Sequence, residues 1–180
     1  MSLSELRDDL CQKTGRGLNA IVAGIFLWAT FTVFGLFVDD AKVLALVYVF
    51  GAGVLFPLSL LVARLMRLDP FAQGNPMGVL AGLLGAVQVL FIPLMIGATI
   101  VVPDMVPWFL AVLVGAHFLP FSWVYASRTY IVVAIFMSLS AGAIAWLLPG
   151  VVAIAVPATV TILLIIAALL LRKENAQAPS

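Results

Sequence analysis

Charged side chains are what this chain has least of. Lys, Arg, Asp and Glu make up 9% of its 180 residues, where soluble domains carry roughly a quarter, so a water-soluble globule is excluded. A net charge of +1 offers nothing to a polyanion, and nucleic acid is not a partner the composition supports. The single cysteine, Cys11, rules out an intrachain disulfide and a thiolate metal cluster. The single histidine, His117, would need several carboxylates to build a zinc site, and every Asp and Glu lies in a loop or tail. The apolar runs hold no histidine cluster, carboxylate pair or activated cysteine. The chain therefore reads as a non-enzyme that needs no metal or cofactor.

What it has instead is apolar length. Hydrophobic residues account for 64% of the chain and fall into runs of about the 20 residues that a helix needs to cross a bilayer. The expected fold is all-α, a polytopic six-helix transmembrane bundle. Residues 1–17 read as a cytoplasmic amphipathic helix or tail, in which Ser2 and Glu5 have the spacing of a capping box and Leu3, Leu6 and Leu10 recur at helical spacing. Residues 18–171 form one membrane domain with spans at about 18–38, 43–66, 77–101, 106–126, 129–148 and 151–171, and 172–180 is a cytoplasmic tail. The first run is too long for a signal-peptide core and lacks a cleavage site before Asp39. Asp40 is placed to cap the second span. Asn75-Pro76 reads as an N-cap and first-turn proline opening the third.

Charge placement orients the bundle. Of the nine Lys and Arg residues, Lys42 alone falls on one side; Arg7, Lys13, Arg16, Arg64, Arg67, Arg128, Arg172 and Lys173 fall on the other. Both termini are then cytoplasmic, and Asp39, Asp40 and Asp104 lie outside.

Near the middle of the fourth run stands Gly115-Ala116-His117-Phe118-Leu119-Pro120-Phe121. Pro120 cannot donate to the Ala116 carbonyl, so a free backbone acceptor sits beside the imidazole. Gln88, about as far before the Pro103 turn as His117 lies after it, comes level with His117 in an antiparallel hairpin. The pair reads either as a structural interhelix bond or as a solute or proton site. Gly78, Ala81, Gly82 and Gly85 predict that the third span is a packed, central helix. The second span repeats the fourth with one-residue slips: Gly51-Ala52-Gly53, Phe56-Pro57-Leu58-Ser59 and Ala63-Arg64 answer Gly115-Ala116-His117, Leu119-Pro120-Phe121-Ser122 and Ser127-Arg128. Three tandem helical hairpins would explain the match, as would the limited alphabet of apolar helices. The repeat adds Gly53 and Pro57 to the candidate site of His117, Gln88, Ala116 and Pro120. Asp39, Asp40 and Asp104 mark its outer entrance, reached between the first and fourth spans.

The His117 segment with Trp123 and Tyr125 resembles an uncharacterised bacterial family of six-span membrane proteins, a domain of unknown function. Leu6-Arg7, Gly17, Gly74-Asn75-Pro76 and Gln88 strengthen the likeness. The resemblance implies the bacterial plasma (inner) membrane and no activity, so it brings no site residues with it. The leading functional expectation is a bundle that binds or transports a small solute or ion at the His117 and Gln88 layer. The alternative is a non-transporting scaffold or partner subunit. The partners expected are the lipid bilayer, a small solute or ion, and a second copy or another membrane protein.

Overall fold

The computed structural model describes residues 1–177 and is helical throughout. Helix α1 (Leu3–Thr14) begins with the expected capping box: the Ser2 hydroxyl accepts from the Glu5 N–H and the Glu5 carboxylate accepts from the Ser2 N–H at 2.7 Å. It ends in Gly15, Arg16 and Gly17, all left-handed, at φ 57°, 53° and 73°. Helix α2 (Leu18–Phe37) follows, then α3 (Ala41–Met66), whose first N–H groups at Lys42 and Val43 donate to the Asp40 carboxylate. Asn75 caps α4 (Pro76–Ala86) by accepting from the Met77 N–H, with Pro76 in the first turn. After α5 (Ile92–Val101) come α6 (Val106–Val124), α7 (Arg128–Leu147) and α8 (Val152–Gln177). The tail expected from residue 172 is thus helical as far as Gln177, and residues 178–180 lie outside the described residues. Six helical stretches are long and apolar enough to cross a membrane: Leu3–Phe37, Ala41–Met66, Pro76–Val101, Pro103–Val124, Arg128–Leu147 and Pro149–Gln177.

The third of these is not one α-helix. Between α4 and α5, Val87–Phe91 tightens into a 3-10 turn. Pro93 has no N–H to give the Val89 carbonyl four residues back, and the Ile92 N–H takes that carbonyl instead, closing an i to i+3 bond. Pro57, Pro120 and Pro157 lie within helices that continue past them.

Nor is the third span central. Only 6% of its apolar window is buried, against 39% in Pro149–Gln177, and a Cβ added at Gly82 or Gly85 would meet nothing within 4 Å. The core helix is α8, which packs on α2 and α7 and touches α6, with Val156, Val160, Leu164 and Leu171 wholly enclosed. A bilayer gives apolar helices no reason to leave lipid for each other, so close backbone approach has to hold them. In the expected helix Gly78 packs against the Phe71 carbonyl of the preceding loop, and the close helix-to-helix approaches come from glycines of other helices. A Cβ at Gly35 of α2 would run into the Ala153 carbonyl of α8, and one at Gly115 of α6 would lie 2.5 Å from the Ser138 hydroxyl of α7. Small residues allow a close contact; they do not choose the helix that makes it.

Candidate functional site

His117 sits half-buried on α6 with its ring edge-on to Phe121, centroids 5.0 Å apart, and 6.3 Å from that of Phe118. Among the described residues neither His117 nor Gln88 makes a side-chain hydrogen bond, and none joins the two. The expected level pair is not formed. Gln88 falls in the 3-10 turn, which touches α6. There each residue turns the chain about 120° in place of about 100°, so the face assigned on an α-helix does not carry through. The other expected members are not gathered either. Ala116, Pro120, Gly53 and Pro57 are exposed on their helices, and a Cβ at Gly53 would meet nothing within 4 Å. The hydroxyls of Thr30, Thr32, Thr99 and Thr161 bond carbonyls of their own helices.

At the end of the bundle away from α1, Asp39 and Asp104 line a shallow cavity of about 190 Å³. Asp40 is engaged as the α3 cap. The cavity closes on Tyr48, whose hydroxyl donates to the Ala153 carbonyl at 2.8 Å, and His117 is not among its lining residues. The expected passage between the first and fourth spans would need α2 beside α6; among the described residues α2 packs chiefly on α8 and α3, and α6 chiefly on α7.

The polar chemistry converges at the opposite end, under α1. Leu10, Cys11 and Thr14 are buried against the bundle, so the N-terminal segment docks on its own fold. Asn75 holds it from the α3–α4 loop: while its Oδ1 caps α4, its Nδ2 donates to the Leu6 carbonyl at 2.7 Å and to the Asp9 carboxylate at 2.8 Å. Lys13 pairs with Asp9 at 2.9 Å and donates to the Gln73 carbonyl at 3.1 Å. The Lys13 ammonium and the Asn75 amide together hold the Asp9 carboxyl below the usual carboxylate range. The Arg7 guanidinium lies 3.9 Å from the centre of the Trp123 ring; its buried Nε and Nη2 have no hydrogen-bond partner, and the aromatic face stands in for one.

The linker after α1 is tied to both ends of the last hairpin. The Tyr130 hydroxyl of α7 donates to the Arg16 carbonyl at 2.6 Å. Arg16 donates to the Asn175 amide oxygen at 2.6 Å, and Asn175 returns a bond to the Gly15 carbonyl at 3.0 Å. Thr129 donates to Glu174 at 2.7 Å. An aromatic column of His117, Phe121, Tyr125 and Tyr130 leads from mid-helix to this layer. Cys11 donates weakly to the Tyr125 carbonyl, and burial pushes its thiol up, which makes it an inert packing group. Among the described residues no three His, Cys, Asp or Glu side chains come together to hold a metal ion.

The layer's bonds link residues far apart in the chain, so no local spacing points to it. Arg7, Gly17 and Asn75 do share one signal: each belongs to the segments that carry the family likeness. The architecture is that of an all-helical bundle of six membrane-crossing length helices, closed at one end by a docked amphipathic helix. The chain belongs to a family of unknown function, DUF7010, whose model matches residues 3–174. Neither the curated proteins nor the solved structures compared with it give a match.

Proposed function

We propose that this chain is a multi-pass protein of a bacterial plasma membrane with both termini in the cytoplasm, and that it acts as a non-transporting scaffold or partner subunit. The uncovered face of α4 and α5 carries this reading. Gly82 and Gly85 have open space around them and are flanked by exposed Val79, Leu83 and Leu90, a surface against which another membrane helix can close to backbone distance. The orientation draws on the basic end: Arg16 meets Asn175, the Asp69 N–H meets the Lys13 carbonyl, and Thr129 meets Glu174, so eight of the nine cations share the end that holds α1 and the last turns of α8.

Photobleaching of a fluorescent fusion in native membrane vesicles tests the scaffold reading. Wild type should run in assemblies, and Gly82→Leu with Gly85→Leu should disperse them without lowering the melting temperature. A reporter active only outside the cytoplasm should be silent after Gln177 and active in the Asp39 and Asp104 turns. A second reading, a solute site at His117, draws on a half-buried imidazole with no hydrogen-bond partner among the described residues. It predicts a solute that raises the melting temperature of wild type and has no effect on His117→Leu. That result, with wild type monomeric in vesicles, would overturn the scaffold.

A further inference from the structure

The C-terminal half of α3 and the loop that follows it enclose a groove of about 620 Å³, open along one side. Pro57, Leu61, Arg64, Leu68, Asp69 and Phe71 are among the residues that line it. From Pro57 to Arg64 the helix climbs about 10 Å, so the groove starts within an apolar span and finishes at the basic end of the bundle. Its walls are apolar until that end. There Arg64 is exposed and, among the described residues, takes part in no ion pair; the one ion pair is Lys13 with Asp9. Arg67, three residues on, is also exposed and, among the described residues, in no ion pair, but it does not line the groove. The nearby carboxylate of Asp69 is turned toward the backbone, accepting from the N–H of Phe71 at 3.1 Å and of Gln73 at 2.7 Å.

An uncommitted cation, Arg64, at the mouth of an apolar, side-opening trough matches one kind of molecule: an anionic headgroup attached to an acyl chain. A free phosphate would leave the apolar length empty. A zwitterionic headgroup would bring its own cation against Arg64. We infer that the groove is a binding site for an anionic phospholipid, its phosphate on Arg64 and an acyl chain along Pro57 and Leu61.

The test is lipid retention by the full chain, purified in detergent from vesicles of equal phosphatidylglycerol and phosphatidylcholine and weighed by native mass spectrometry. Wild type should keep phosphatidylglycerol in at least threefold preference. Arg64→Gln removes the charge at an exposed position, and Leu61→Trp fills the groove with the charge intact. Each should bring the preference close to parity while melting in lipid-free detergent as wild type does. Lys173→Gln, a cation at the same end on α8, should keep the preference. The site would be overturned by a preference that survives both groove substitutions, by an equal loss in Lys173→Gln, or by inorganic phosphate protecting the protein from heat as well as phosphatidylglycerol does.

Discussion

The hydroxyl of Tyr130 donates to the carbonyl of Arg16 at 2.6 Å, joining the first turn of α7 to a residue held at φ 53°. A left-handed arginine between two left-handed glycines is costly backbone, and this bond is one of those that keep it in place. Tyr130→Phe should lower stability by about 1 kcal/mol, the usual net value of such a bond, seen as a lower melting temperature in detergent. Tyr48→Phe, which loses the Ala153 bond at the far end, should cost about as much. Only Tyr130→Phe should speed thiol labelling of buried Cys11, because only it loosens α1. Equal labelling in the two variants would contradict the tie.

Asn75 works through both ends of its amide, and two substitutions separate them. Asn75→Asp keeps the oxygen that caps α4, yet sets a second carboxylate against Asp9, where the Nδ2 donor now lies at 2.8 Å. Asn75→Ala loses cap and donor together. Both should expose Cys11 to labelling, and adding Asp9→Asn to Asn75→Asp should restore much of the protection. No rescue would mean that the cap alone matters.

Acid should release α1. The Asp9 carboxyl sits below its ordinary value of 3.8 in the folded chain. Its contribution is therefore complete above that value and is lost as pH falls through the lower, folded one. Exchange of the α1 amides, followed by mass spectrometry after correction for intrinsic rates, should rise across that interval in wild type. It should change far less in Asp9→Asn, which titrates no proton there. Parallel profiles would remove Asp9 from the account.

His117 and Gln88 should behave as strangers. Without a bond between them, the losses of melting stability in His117→Leu and Gln88→Leu should add in the double variant to within about 0.5 kcal/mol. A clear shortfall from the sum would restore the interhelix pair.

What could be read in the residues follows the range of the physics. Ser2 with Glu5, Asp40 and Asn75-Pro76 act on N–H groups within three residues, so their roles were legible letter by letter. The six apolar stretches were legible because bilayer thickness sets helix length. The choice of central helix was not: Gly82 and Gly35 are the same letter, and only the fold brings Ala153 to one and empties the space beside the other. The Gln88 assignment failed for a nearer reason, since Pro93 retunes the helical period one turn upstream. The layer under α1 joins Leu6 to Asn75 across 69 residues and Arg16 to Asn175 across 159, distances at which spacing carries no information.

The bond between Arg16 and Asn175 also joins the two ends of the chain's synthesis. A chain made from its N-terminus completes α1 first, but Asn175 and Glu174 are among the last helical residues to arrive. Until α8 is in place, the Gly15–Gly17 linker lacks the two bonds that Asn175 gives it, to Arg16 and to the Gly15 carbonyl. The linker is therefore fully tied only when both ends of the α7–α8 hairpin are present, whereas Asn75 and Lys13 join α1 to the α3–α4 loop without any part of α8.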